Sequence, residues 1–65
     1  MIKINGELLD QAEGKSLSAY LSECGYKREM VAVERNGKIV PKSEYDDTVL
    51  WDNDEVEIVS FVGGG

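Results

Sequence analysis

Asp52-Asn53-Asp54-Glu55-Val56-Glu57-Ile58-Val59-Ser60-Phe61-Val62 is the stretch that decides the fold of this chain. Val56 and Ile58 alternate with Glu55 and Glu57, and a period of two buries one face of a strand while wetting the other. A strand is therefore expected over 55–62. It is entered through an Asp-Asn-Asp turn, in which Asn53 tolerates the left-handed backbone that a tight turn demands. With Val56 and Ile58 pointing inward, Glu57, Val59 and Phe61 stand on the outer face, so two large apolar groups are exposed there. Val59 and Phe61 beside the chain's end would give a partner a desolvated contact, and Glu57 would steer it towards basic residues. The plainer alternative is that Phe61 folds back over the edge of a thin core.

Upstream of that strand, Thr48–Trp51 reads as a short strand and 42–47 as an irregular connector. Met30–Glu34 is apolar and β-branched, Asn36-Gly37 suits the positive φ angles of a two-residue type I′ turn, and Lys38–Val40 returns. Pro41 withdraws a backbone donor and marks the exit of this hairpin. An earlier hairpin is read from Met1–Ile4 and Glu7–Leu9 around Asn5-Gly6. Between the hairpins Ser16 can cap a helix whose Leu17, Tyr20, Leu21 and Cys24 fall at i, i+3, i+4 and i+7 on one apolar stripe. Gly25 supplies the residue that commonly ends such a helix. The order strand, strand, helix, strand, strand, strand predicts an α+β domain: a mixed sheet of about five strands packed on one helix, the ubiquitin-like β-grasp layout. Residues 1–62 are expected to form this single domain and residues 63–65 a flexible glycine tail, because three glycines carry the largest ordering entropy and no side chain to dock.

Sixty-five residues support one thin core, since so short a chain buries only about 60% of the surface its unfolded form exposes. There is no His, which removes the usual neutral-pH acid/base and the commonest metal ligand. The single Cys24 cannot form an internal disulfide or a two-cysteine redox or zinc site, and a buried structural thiol on the helix stripe is expected. The acidic turns lack EF-hand spacing, so no metal is expected. Tyr20, Tyr26, Tyr45 and Trp51 are read as core fillers. The net charge of −6 is uneven: residues 44–65 hold seven acidic side chains and no Lys or Arg, whereas residues 1–43 sum to +1. Such an acidic third repels phosphate backbones and argues against a nucleic-acid partner. The longest apolar run, Met30–Val33, is four residues, far short of the ~20 that span a bilayer. No signal-peptide pattern is read at the start, no membrane partner is expected, and the location is expected to be cytoplasmic.

Gly63-Gly64-Gly65 carries the chemistry. At a background usage of ~7% Gly, three in succession at one terminus is roughly a 1-in-3,000 event. A frayed end or a cloning remnant is the plain reading, but the glycines follow directly on the final strand without a tag or Ser-rich linker. Lacking Cβ, such residues lie extended in a narrow channel and let backbone approach a bound nucleotide. A carboxylate is a poor electrophile and must first become a mixed anhydride such as an acyl-adenylate. The chain has no phosphate-binding loop, so activation is expected in trans, with ATP used by a partner and no cofactor bound here.

Val31-Ala32-Val33-Glu34-Arg35-Asn36-Gly37-Lys38-Ile39-Val40-Pro41, Asp52-Asn53-Asp54-Glu55-Val56-Glu57-Ile58 and Phe61-Val62-Gly63-Gly64-Gly65 resemble the ThiS family of thiamin-biosynthesis sulfur carriers. The likeness runs over essentially the whole chain. Its implication is a carrier rather than an enzyme: the terminal glycine is adenylated by an E1-like enzyme of ThiF type, converted to a thiocarboxylate with sulfur from a persulfide-bearing enzyme, and donates that sulfur to a thiazole synthase of ThiG type. Carried over, Gly65 bears the carboxylate and then the sulfur, Gly64 completes the di-glycine, and Gly63 adds freedom. Glu57, Val59, Phe61 and Val62 are the expected partner-binding residues. Asn53 stands where the family often has glycine in the turn. Two other readings stay open from the residues: a small subunit of molybdopterin-synthase type, which also ends in Gly-Gly, and a ubiquitin-like interaction module without sulfur chemistry.

Overall fold

The computed structural model describes residues 1–61. Its elements are β1 (Ile2–Ile4), β2 (Glu7–Leu9), α1 (Leu17–Glu23), β3 (Val31–Arg35), β4 (Lys38–Ile39) and β5 (Glu55–Ser60), with short 3₁₀ turns at Arg28–Met30 and Lys42–Glu44. The five strands form one mixed sheet in the order β2-β1-β5-β3-β4. β5 runs parallel to β1 and antiparallel to β3, so the last strand lies at the centre, between the two hairpins. This is the β-grasp arrangement expected from the order of elements.

Both hairpins turn where the Asn-Gly pairs predict: φ is 50° at Asn5 and 84° at Gly6, 53° at Asn36 and 84° at Gly37. Asn53, in the turn before β5, also has positive φ, at 73°. Ser16 caps α1, its hydroxyl oxygen accepting the Ala19 N–H at 3.1 Å. Two further N–H groups of the first turn, from Leu17 and Ser18, donate to the carbonyls of Thr48 and Tyr45 at 2.7 and 3.1 Å. The helix start is thus satisfied largely by the connector.

The core lies between sheet and helix. Ile2, Ile4, Val31, Val33, Val56 and Ile58 from the inner face of the sheet meet Leu17, Tyr20 and Leu21 of α1, with Val40, Tyr45 and Leu50 closing the side. Tyr26 packs against this cluster half-buried. No helix among the described residues is long and apolar enough to cross a membrane.

Three expectations are corrected. Cys24 is exposed, because α1 ends at Glu23 and leaves Cys24 as its C-cap; the stripe stops one turn before i+7. Trp51 is 57% exposed and outside the core: with Leu50 fully buried, its sequence neighbour faces solvent, as an extended chain requires. The segment Thr48–Trp51 is no strand of the sheet. It makes a single bridge, Ser16↔Val49, and Leu50 bonds with the segment before α1, from Gly14 N to Leu50 O at 2.8 Å and from Leu50 N to Lys15 O at 2.9 Å. The connector 42–47, read as irregular, contains the short 3₁₀ turn already named.

Candidate functional site

The strand that leads to the chain's end is held at its start, along its length and just past its end. At the start, Asp54 is buried to 7% exposure and gathers four polar contacts. Arg35 Nε and Nη2 donate to its Oδ2 at 2.9 and 2.8 Å, the Trp51 N–H donates to the same oxygen at 2.9 Å, and Asn36 Nδ2 donates to Oδ1 at 3.0 Å. Burial works to raise the Asp54 pKa, but the Trp51 N–H, the Asn36 amide and the Arg35 guanidinium outweigh it, and the carboxyl titrates below the ordinary 3.8. Asn36 reaches on to β5, accepting the Glu55 N–H at 2.9 Å.

Farther along, the parallel pairing with β1 ends at Ile4↔Val56, because the chain turns away at Asn5-Gly6. The Asn5 side chain replaces the missing strand. Its Oδ1 accepts the Ile58 N–H at 2.7 Å and its Nδ2 donates to the Ile58 carbonyl at 3.3 Å. Beyond β5, the Phe61 N–H donates to the Met30 carbonyl at 2.7 Å. Sequence reasoning read Asn5 only as a turn former and Asp54 only as a turn residue. Nothing local in the sequence signals the Asn5 contact, which needs the knowledge that β1 and β5 are neighbours.

The alternation expected of the last strand holds through Val59, but β5 ends at Ser60, short of the 55–62 expected, so Phe61 lies past the strand. Val56 and Ile58 are buried, Glu57 is exposed, and Val59 and Phe61 are 58% and 49% exposed. Phe61 does not belong to the core cluster; the Lys42 ammonium lies 6.0 Å from its ring centre, within the range of a cation–π contact. Lys42 Nζ is fixed there by donating to the Val31 carbonyl at 2.7 Å. Glu57 and Val59 thus share the exposed face of the central strand and Phe61 is exposed just past its end, while the predicted site residues Val62, Gly63, Gly64 and Gly65 lie outside the described residues.

No group of three or more Cys, Asp or Glu side chains among the described residues is placed to hold a metal ion. A hollow of about 510 Å³ between the second hairpin and the connector, lined by Arg35, Lys38, Pro41, Glu44 and others, contains no nucleophile paired with a base. Burial, with a smaller contribution from the neighbouring Cys24, pushes the Tyr20 hydroxyl up to about 12, so it stays protonated.

The family model of ThiS matches residues 2–65. The chain belongs to the ThiS family. It is 35% identical over 66 residues to the sulfur carrier protein ThiS of Bacillus subtilis, the match covering all of both chains. It is 47% identical over 62 residues to a thiazole synthase of Paramagnetospirillum magneticum, covering 95% of this chain but 19% of that protein. The chain likewise spans 20% of a thiazole synthase of Magnetococcus marinus. Among solved structures, the crystal structure of the thiamine biosynthesis protein ThiS from Geobacter metallireducens superposes with a TM-score of 0.76 at 34% identity, covering 98% of this chain and 97% of that one. The β-grasp fold and the ThiS membership thus rest on independent likenesses of sequence and of structure.

Proposed function

We propose that this chain is a sulfur carrier in thiamin biosynthesis, a protein cosubstrate acted on by partner enzymes. The observation that carries this reading is the ThiS family match, which runs to Gly65 and so includes the terminal Gly64-Gly65. An E1-like enzyme of ThiF type uses ATP to convert the Gly65 carboxylate to an acyl-adenylate. The terminal sulfur of a persulfide-bearing donor then displaces AMP to give an acyl disulfide, a thiol cleaves that S–S bond to leave the thiocarboxylate on Gly65 and a disulfide on the donor, and a thiazole synthase of ThiG type takes the sulfur. We place the chemistry in the cytoplasm, where a thiol as open as that of Cys24 stays reduced.

The reading gives the fold a mechanical task. β5 and its flanks are anchored from Asp54 to Phe61, so a partner that grips Glu57 and Val59 on the outer face of the strand, with Phe61 and Val62 after it, holds the start of the glycine segment in register with its own active site. Glycines without Cβ then thread where side chains would jam. The thiazole synthase relatives, in which a segment like this chain forms part of the protein, favour thiazole formation over the molybdopterin alternative.

The test is a pair of variants, one with a single residue added after Gly65 and one with Gly64→Val. Both are expected to keep the wild-type melting temperature and to lose sulfur uptake in the presence of ATP, the activating enzyme and a sulfur donor. An extended variant, shown by mass to retain its extension, that still acquired sulfur would refute the reading.

A further inference from the structure

We propose that a groove on the outer face of the sheet, walled by Ala32, Ile39 and Val59 and rimmed by Glu34 and Glu57, receives an arginine side chain of the adenylating enzyme. The inference rests on the sulfur-carrier reading and names the chemistry of one of its contacts. The register builds the groove: Ala32 lies opposite Val59, and Glu34 lies opposite both Glu57 on β5 and Ile39 on β4. The hollow measures about 190 Å³, enough for one long side chain and too small for a nucleotide. Ile39 and Val59 are 66% and 58% exposed, so apolar surface is open to solvent on both sides of the acidic pair.

The charges specify the occupant. Glu34 and Glu57 are directly opposed across the strands, an arrangement that destabilises a sheet. Neither carboxylate forms a salt bridge or side-chain hydrogen bond with any described residue. The one cation placed on this face by the register, Lys3, stands opposite Glu55 instead. A guanidinium is planar, stays charged and presents several donors in a fixed fork, so it can bridge two carboxylates while its methylene stem lies on apolar walls. An ammonium would satisfy one acid at a time.

The adenylating enzyme is the partner with matching charge. An enzyme that brings the triphosphate of ATP to a carboxylate needs cations around the reacting end, and a positive potential there would draw this acidic face towards it. The reach also fits: six residues from Val59 to Gly65 span at most about 20 Å, so an anchor in the groove lies within about one small-domain diameter of the reacting end.

The experiment compares the wild type with Glu34→Gln, Glu57→Gln and the double variant in ATP–pyrophosphate exchange by the E1-like enzyme, across a range of salt. The expected result is a rise of about tenfold or more in KM for the double variant with kcat unchanged, as for loss of a charge-assisted contact. The wild-type KM should climb with salt, the double-variant KM should stay flat, and the variants should melt at or above the wild-type temperature because a repulsion has been removed. Transfer from preformed thiocarboxylate to thiazole synthase should be unaffected in Glu34→Gln, whose residue lies on β3 outside the strand that leads to the glycine segment. An unchanged KM overturns the proposal, and a rise confined to the transfer step shows the occupant to be the synthase and overturns it as well. Failure of the wild type to be adenylated at all would instead remove the carrier reading on which the inference rests.

Discussion

Replacing Asn5 by Gly is expected to loosen the half of β5 nearest the glycine segment while leaving the hairpin turn intact. Asn5 sits at φ 50°, a conformation that Gly adopts freely, so the substitution removes the side chain without adding strain. What is lost are the two bonds to Ile58, one short at 2.7 Å and one long at 3.3 Å. At about 1 kcal/mol net for a sound hydrogen bond and less for the long one, the cost is about 1–2 kcal/mol. Asn5→Ala should cost more, about 2–4 kcal/mol, because an alanine held in the left-handed region adds roughly 1–2 kcal/mol of steric strain. Asn5→Asp keeps the acceptor for the Ile58 N–H and should fall between wild type and the Gly variant. Urea unfolding reads these differences: with a slope of about 1 kcal/mol/M for a chain this small, the Gly variant should lose about 1–2 M in midpoint at constant slope. Amide exchange at Ile58 should accelerate in the native state, ahead of global unfolding. A Gly variant with the wild-type midpoint and undiminished protection at Ile58 would refute the idea that Asn5 substitutes for a missing strand.

Asp54 should make the protein acid-labile: its folded pKa lies below the ordinary 3.8, so its stabilisation is complete above that value and is lost as pH falls through the folded pKa. Asp54→Asn should therefore melt lower at neutral pH and show a flatter melting profile below pH 3.8, and an unchanged acid slope would contradict this. Phe61→Ser should cost at most about 2 kcal/mol of stability, since the ring is half exposed and the area removed from water is about 100 Å² or less, while raising KM for the adenylating enzyme; a collapse of the fold with undiminished affinity per folded molecule would show that the ring belongs to the core. Cys24 should react with a thiol reagent in the native protein at the rate of a free thiol and with no loss of melting temperature, whereas slow, unfolding-limited labelling would restore the buried reading.

What was legible in the sequence was local. The two Asn-Gly turns, the Ser16 cap, the Gly25 stop and the two-residue alternation of Glu55–Ile58 each depend on a few neighbouring residues, and each stands where it was expected. The misreadings share a different cause. Cys24 fits the helical period, but the period does not say where the helix ceases to be covered. Thr48–Trp51 has strand-like composition, yet its backbone bonds go to the segment before α1, to the first residue of α1 and to Asp54, which only the tertiary arrangement reveals. The outward placement of Val59 followed from parity along one strand and was legible, whereas Phe61 lies past the end of β5, where parity no longer applies. The opposition of Glu34 to Glu57 depends on register between strands more than twenty positions apart, and no single segment contains it.

The most direct test of the account is the intact mass of the protein after incubation with ATP, a sulfur donor and the E1-like adenylating enzyme. The account predicts a mass gain equal to the exchange of one oxygen for one sulfur, localised by fragmentation to Gly65, dependent on ATP and reversed when thiazole synthase and its substrates are added. An unchanged mass under conditions that convert the Bacillus ThiS, or sulfur found on Cys24 instead of Gly65, would contradict it.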